Sequence, residues 1–219
     1  MNNDFSIIGV MALASLAPFL IACGTCYIKF SIVFVMVRNA IGLQQIPSNL
    51  TLNSIAFVLS VFVMLPIARE GYDAYQKNSM DTSSAAGIES SLESAFGSYK
   101  DYLIKYADKD LAEYFERAQL SRDEKEDEIK SEDKPEPTLF SLLPAYALTE
   151  IADAFKIGFY LYLPFVVIDL LVSGILLTLG MMMMSPVTIS IPIKLLLFVC
   201  MDGWSLLSKG LIEQYLSLR

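Results

Sequence analysis

The sequence predicts an all-α membrane protein made of kinked helical hairpins, with an acidic, partly helical loop outside the membrane. Three observations carry that prediction. The 219-residue chain is 54% hydrophobic and only 18% charged, against about 45–50% and about 25% for an average soluble domain. Its charges are segregated: 18 of 24 acids and 9 of 16 bases fall between Glu70 and Glu136, so that segment nets −9 and the remainder +1. The flanks hold four long, nearly uncharged runs, and a bilayer core takes about 20 apolar residues per helix. The expected organisation is an N-terminal hydrophobic hairpin (1–70), an acidic region with amphipathic helices (71–137) and a C-terminal hydrophobic hairpin (138–219).

The first run, residues 5–28, is uncharged and interrupted by Pro18. A cleavable secretory leader opens on basic residues. Met1-Asn2-Asn3-Asp4 has none, so the run is expected to stay as a membrane helix. Cys23 and Cys26 have C-x-x-C spacing. A redox pair or half a zinc site is one reading. Two small apolar residues of a membrane helix is the other, and the apolar surroundings favour it. Lys29 and Arg38 follow, and basic residues favour the cytoplasmic side. The acidic region and both termini are then expected on the opposite side. Gln44 and Gln45 either line a mouth or bond across subunits, or belong to a plain loop. The second run spans residues 50–68.

In the acidic region, Leu92, Phe96, Tyr99, Leu103 and Tyr106 recur at helical spacing. A break is expected at Asp108 or Lys109, before a second helix with Leu111, Tyr114, Phe115 and Ala118. Residues 121–134 are a charge run ending at Pro135 and Pro137, read as a solvated loop.

The third run, residues 157–193, is broken only by Asp169; the fourth, 195–216, carries Asp202, Lys209 and Glu213. Within the third, Met181, Met182, Met183 and Met184 stand between Gly180 and Ser185-Pro186. As one helical turn, they would coat every side with thioether. Flexible, unbranched side chains suit a surface that conforms to changing partners. Asp169 and Lys194 each sit where an ionised side chain costs at least about 2.5–3.5 kcal/mol. A chain reversal near residues 185–188 would bring them together as an ion pair fixing helix register. Alternatively, one or both snorkel to an interface. Asp202 lies about 80° round the same helix from Lys194 and can join that network. Otherwise Asp202-Gly203-Trp204 simply reaches the interface. Pro18, Pro47, Pro66, Pro144, Pro164, Pro186 and Pro192 are expected to kink or end helices.

The absences bound function. There is no histidine, which removes Ser-His-Asp and Cys-His catalysis and most zinc sites. No phosphate-binding loop or metal-ligand cluster is present, so neither an enzyme nor a cofactor is expected. No basic patch exists to bind nucleic acid. An ion or small-solute transporter using Asp169, Lys194 and Asp202 is an alternative from another class.

Several ordered stretches carry a resemblance. Gly24-Thr25-Cys26-Tyr27-Ile28-Lys29-Phe30-Ser31 leads to Arg38-Asn39-Ala40-Ile41-Gly42-Leu43-Gln44-Gln45-Ile46-Pro47. Pro144-Ala145-Tyr146-Ala147-Leu148-Thr149-Glu150, Pro164-Phe165-Val166-Val167-Ile168-Asp169, the methionine run with Ser185-Pro186, Lys194-Leu195-Leu196-Leu197-Phe198 and Asp202-Gly203-Trp204 follow. Together they resemble the FliP/SctR/SpaP family of type III secretion export-apparatus subunits, the injectisome branch more than the flagellar one. The resemblance implies a non-enzymatic pentamer winding with two smaller membrane-subunit families into a helical, pseudo-hexameric cone. It implies a place in the bacterial inner membrane, partly on the periplasmic side, so not every run crosses the bilayer. Its partners would be the autocleaving switch subunit, needle and inner-rod proteins, unfolded secreted polypeptides and membrane lipid. It also implies that the methionine turn is a gasket in the channel, with Met181, Met182 and Met183 the shared triplet and Met184 an addition. A methionine-packed intersubunit core is the competing structural reading.

Overall fold

The computed structural model of the chain describes residues 11, 15, 18–19, 21–78, 85–122, 137–181 and 183–216. Among these residues every long element is a helix: α1 (Tyr27–Ile41), α2 (Asn49–Asn78), α3 (Ala85–Tyr106), α4 (Lys109–Arg122), α5 (Leu139–Thr178), α6 (Pro186–Cys200) and α7 (Gly203–Leu216). The first apolar run lies largely outside the described residues. The chain is an all-α membrane protein. α2 carries a 25-residue candidate span, Asn49–Asp73, and all 40 residues of α5 pass the same test of length and apolarity. The bent pair α6 and α7, meeting at 60°, makes a third if it counts as one span.

The prolines do less than their spacing suggested. α2 runs through Pro66, α5 through Pro144 and Pro164, and α6 through Pro192. α2, with 30 residues, and α5, with 40, thus continue past their prolines instead of ending at them. Each proline deletes one backbone bond from a ladder of many, and apolar surroundings offer the chain no alternative partner for the rest.

Residues group into two compact units, one of Met1–Thr25 with Met64–Glu150 and one of Cys26–Val63 with Ile151–Arg219. In the first, Leu142, Ala145 and Tyr146 form a buried stripe of α5, joined in the core by Tyr102 and Leu103 of α3. The hydroxyls of Tyr102 and Tyr146 meet at 2.6 Å, and the Tyr99 hydroxyl donates to the Gly24 carbonyl at 2.8 Å. The expected break falls at Ala107 and Asp108. Asp108 Oδ1 accepts from the amides of Asp110 (3.0 Å) and Leu111 (3.1 Å), satisfying the open donors of α4. Its own amide donates to Thr149 Oγ1. Buried Glu116 receives the Thr138 amide and hydroxyl, which ties α4 to the start of α5.

In the second unit, Phe30, Val33, Phe34, Val37 and Ile41 bury one face of α1, while Leu52 and Ala56 do the same for α2. Aromatic rings lock the remainder: Phe30 on Tyr215, Phe34 and Phe198 on Trp204, and Phe165 on Phe198. α1 packs against α6, and α6 against α7. The α1–α6 approach depends on Gly42. Its φ of 95° closes α1, with its amide on the Asn39 carbonyl (3.0 Å) and that of Leu43 on the Arg38 carbonyl (3.2 Å). A Cβ there would lie 2.8 Å from Ile191 Cγ1 of α6.

Gly42→Ala should therefore cost about 1–3 kcal/mol, from the strained φ alone, and more if Ile191 cannot move. Thermal unfolding in detergent measures it; an unchanged midpoint would refute this account. Burial pushes the Tyr99 phenol up to about 12 from its ordinary 10.0. Since the native state holds that proton more tightly, its stabilising effect is complete below pH 10 and is lost as pH rises through about 12. Melting midpoints between pH 9 and 12 should fall more steeply for the native chain than for Tyr99→Phe.

Candidate functional site

The methionine turn is built by backbone, not by its side chains. α5 stops because Gly180 adopts a left-handed φ of 72°. The Gly180 amide then bonds the Leu177 carbonyl at 3.1 Å, and the Met181 amide bonds Leu176 at 3.0 Å. That pair of reversed bonds satisfies the last carbonyls of the helix. On the other side Ser185 is extended and Pro186, with φ already set for a helix, opens α6. The Met184 amide closes the loop onto the Met181 carbonyl at 3.3 Å. Met181, Met183 and Met184 thus lie between helices, which corrects the expectation of a helical turn for them. The reversal comes at residues 179–185, earlier than the 185–188 expected. Met183 is fully exposed at 101%, and Met181 and Met184 are exposed at 40% and 47%. Met182 lies outside the described residues.

The two charges flanking this turn come into contact. Lys194 Nζ of α6 donates to Asp169 Oδ2 of α5 at 2.5 Å and to the Ala40 carbonyl of α1 at 3.2 Å. The lysine side chain is 6% exposed and the aspartate 38%. Ala40 sits in the last turn of α1, where carbonyls have no intrahelical donor, so the ammonium fills a real vacancy. Fully buried Ser190, one turn before Lys194, stands beside the same carboxylate. One buried cation thereby joins α1, α5 and α6.

Asp202 is not part of this cluster. The angle of 80° assumed a continuous helix, but α6 ends at Cys200, and Asp202 is exposed at the bend with a φ of 51°. Trp204 turns inward against Phe34 and Phe198. The three cysteines form no disulfide among the described residues. Gln44 and Gln45 are exposed in the α1–α2 loop. Among the described residues, no three His, Cys, Asp or Glu side chains gather as metal ligands.

Sequence reasoning missed three groups. The Ala40 carbonyl carries no letter of its own. Lys29, buried and 3.5 Å from Asp153 Oδ2, lies with its ammonium 5.0 Å from the Tyr215 ring centroid. Arg38, also buried, gives Nη1 to Pro47 O (3.1 Å) and Asn49 Oδ1 (2.6 Å). Both stand in otherwise apolar stretches, the same signal that singled out Asp169 and Lys194.

The FliP family model matches residues 10–211 of this chain. The chain belongs to the FliP family. It is 58% identical over 222 residues to "Surface presentation of antigens protein SpaP" of Salmonella typhi, covering 100% of this chain and 99% of that protein. The protein of the same name from Shigella flexneri is 56% identical over 218 residues, covering 100% and 99%. "Yop proteins translocation protein R" of Yersinia pestis is 39% identical over 215 residues, 97% of each chain. In this FliP-family chain the methionine turn and the ion pair both lie inside the matched range.

The pair should respond unequally to its two single changes. Asp169→Asn strands a buried ammonium and should cost about 3–5 kcal/mol. Lys194→Met should cost less, because the half-exposed carboxylate can turn to water. Detergent melting of both variants, and of the exchange Asp169→Lys with Lys194→Asp, reads this directly. The reverse order, or an exchange no better than either single change, would refute the pairing's importance.

Proposed function

We propose that this chain is a structural and gating subunit of a type III export gate, closing the entrance for unfolded polypeptides with the methionines of the α5–α6 turn. Family membership makes it a subunit of a type III secretion apparatus, embedded in a membrane. The observation that supports the finer role is Met183, an apolar side chain fully exposed at the tip of a turn held by backbone bonds. Further copies around an axis, five by the family resemblance, would bring such tips together. Thioether contacts are dispersive and non-directional. A ring of them closes against itself, yet yields around a polypeptide of any sequence. Asp169 and Lys194 hold the helix pair that carries each tip.

On this reading residues 1–70 and 138–219 supply the hydrophobic hairpins, and the acidic 71–137 region faces the periplasm. The site is the bacterial inner membrane, and the role is mechanical, without substrate turnover. Partners are the two smaller gate-subunit families, the autocleaving switch subunit, needle and inner-rod proteins, and the exported chains.

The triple change Met181→Ala, Met182→Ala and Met183→Ala tests the seal. Ion leak through the assembled gate should rise while assembly persists. Unchanged leak with unchanged secretion would end the proposal, and failed assembly would favour a methionine-packed subunit interface.

A further inference from the structure

Arg38 is a cation without an anion. It is 7% exposed, and no Asp or Glu lies within salt-bridge distance among the described residues. Its Nη1 donors go to two neutral oxygens, Pro47 O and Asn49 Oδ1. Its Nε is buried and has no partner at all. A buried charge so poorly compensated costs several kcal/mol, unless a counter-charge arrives from outside.

The surroundings point to which counter-charge. Asn49 and Pro47 place the guanidinium at the start of α2, a 30-residue helix with no acidic residue in its first turn. Ser48 Oγ takes the Thr51 amide at 3.2 Å. The amides of Asn49 and Leu50 donate to no described group. A helix N-terminus and a guanidinium fork thus present positive potential to one spot. Ile46 of the preceding loop and Leu50 of the first turn are 76% and 78% exposed. The candidate span of α2 begins at Asn49, so this loop lies at the depth where a bilayer places its headgroups.

We infer that Arg38 and the α2 N-terminus bind the phosphate of an anionic phospholipid, with Ile46 and Leu50 resting among its acyl chains. A carboxylate from a second copy is the other occupant such a cation could take; the exposed apolar side chains of Ile46 and Leu50 beside it in sequence favour lipid. This inference rests on α2 crossing the membrane; it does not depend on the methionine seal.

The test uses the full chain in mild detergent, given phosphatidylglycerol or phosphatidylcholine, with retained lipid counted by native mass spectrometry. The native chain should retain phosphatidylglycerol about five-fold better, the preference expected for one basic residue at a charged surface. Arg38→Gln should abolish the preference, and Arg38→Lys should keep part of it. Equal retention of both lipids by the native chain overturns the inference, as does an undiminished preference in Arg38→Gln. Stabilisation by inorganic phosphate equal to that by phosphatidylglycerol makes this a soluble-anion site and also overturns it. So does an Arg38→Gln change that lowers self-association of the chain in lipid-free detergent, which assigns the site to a second copy. If Arg38→Gln does not fold, the native comparison and Arg38→Lys decide.

Discussion

A single buried ammonium sets the arrangement of the hydrophobic unit. Lys194 cannot be left uncompensated in an apolar interior, and it takes its partners from two other helices, the carboxylate of Asp169 and the carbonyl of Ala40. The directionality of those bonds fixes the register of α5 against α6 and the end of α1 against both. Close approach of α1 and α6 then demands Gly42. Apolar packing alone would tolerate sliding, since dispersion has little directional preference. The polar contact removes that freedom.

The rest of the surface belongs to surroundings outside the chain. Only 22% of the most apolar window of α2, and 17% of that of α5, is buried by the chain itself. Phe155, Phe159, Leu163, Val167 and Leu170 form an exposed apolar face along α5. In water such a face would aggregate; against lipid or neighbouring subunits it is ordinary. α5 is about 60 Å long at 1.5 Å per residue, twice a hydrocarbon core of about 30 Å. At any ordinary tilt, up to about 40°, part of it must therefore lie outside the bilayer.

Much of this was legible in the sequence, and the limits of legibility are physical. Long uncharged runs announce helices, because in lipid only a helix or a closed barrel satisfies its backbone. A charge within such a run stands out as a letter, which is why Asp169 and Lys194 were named. Asp108 was readable as a breaker because its short carboxylate reaches the amides of the next helix. Helix ends were harder. The methionines looked helical by composition, but Gly180 decided the matter through its φ, and a glycine does not declare its conformation. The placing of Asp202 failed for a related reason, since a bend at a non-glycine residue leaves no compositional mark. Proline marks a helix start at Pro186 but not a helix end at Pro66 or Pro164, because a long apolar helix absorbs the loss of one bond.

The methionine turn separates two duties that most loops combine. Among the described residues its path is set by Gly180, Pro186 and amide–carbonyl bonds, none of which involves a thioether. Frame and lining are thus independent parts. Side chains there can change in size, polarity or oxidation state while the scaffold keeps its shape. Variation at those positions is free to tune what touches the tip, without reopening the question of whether the chain folds.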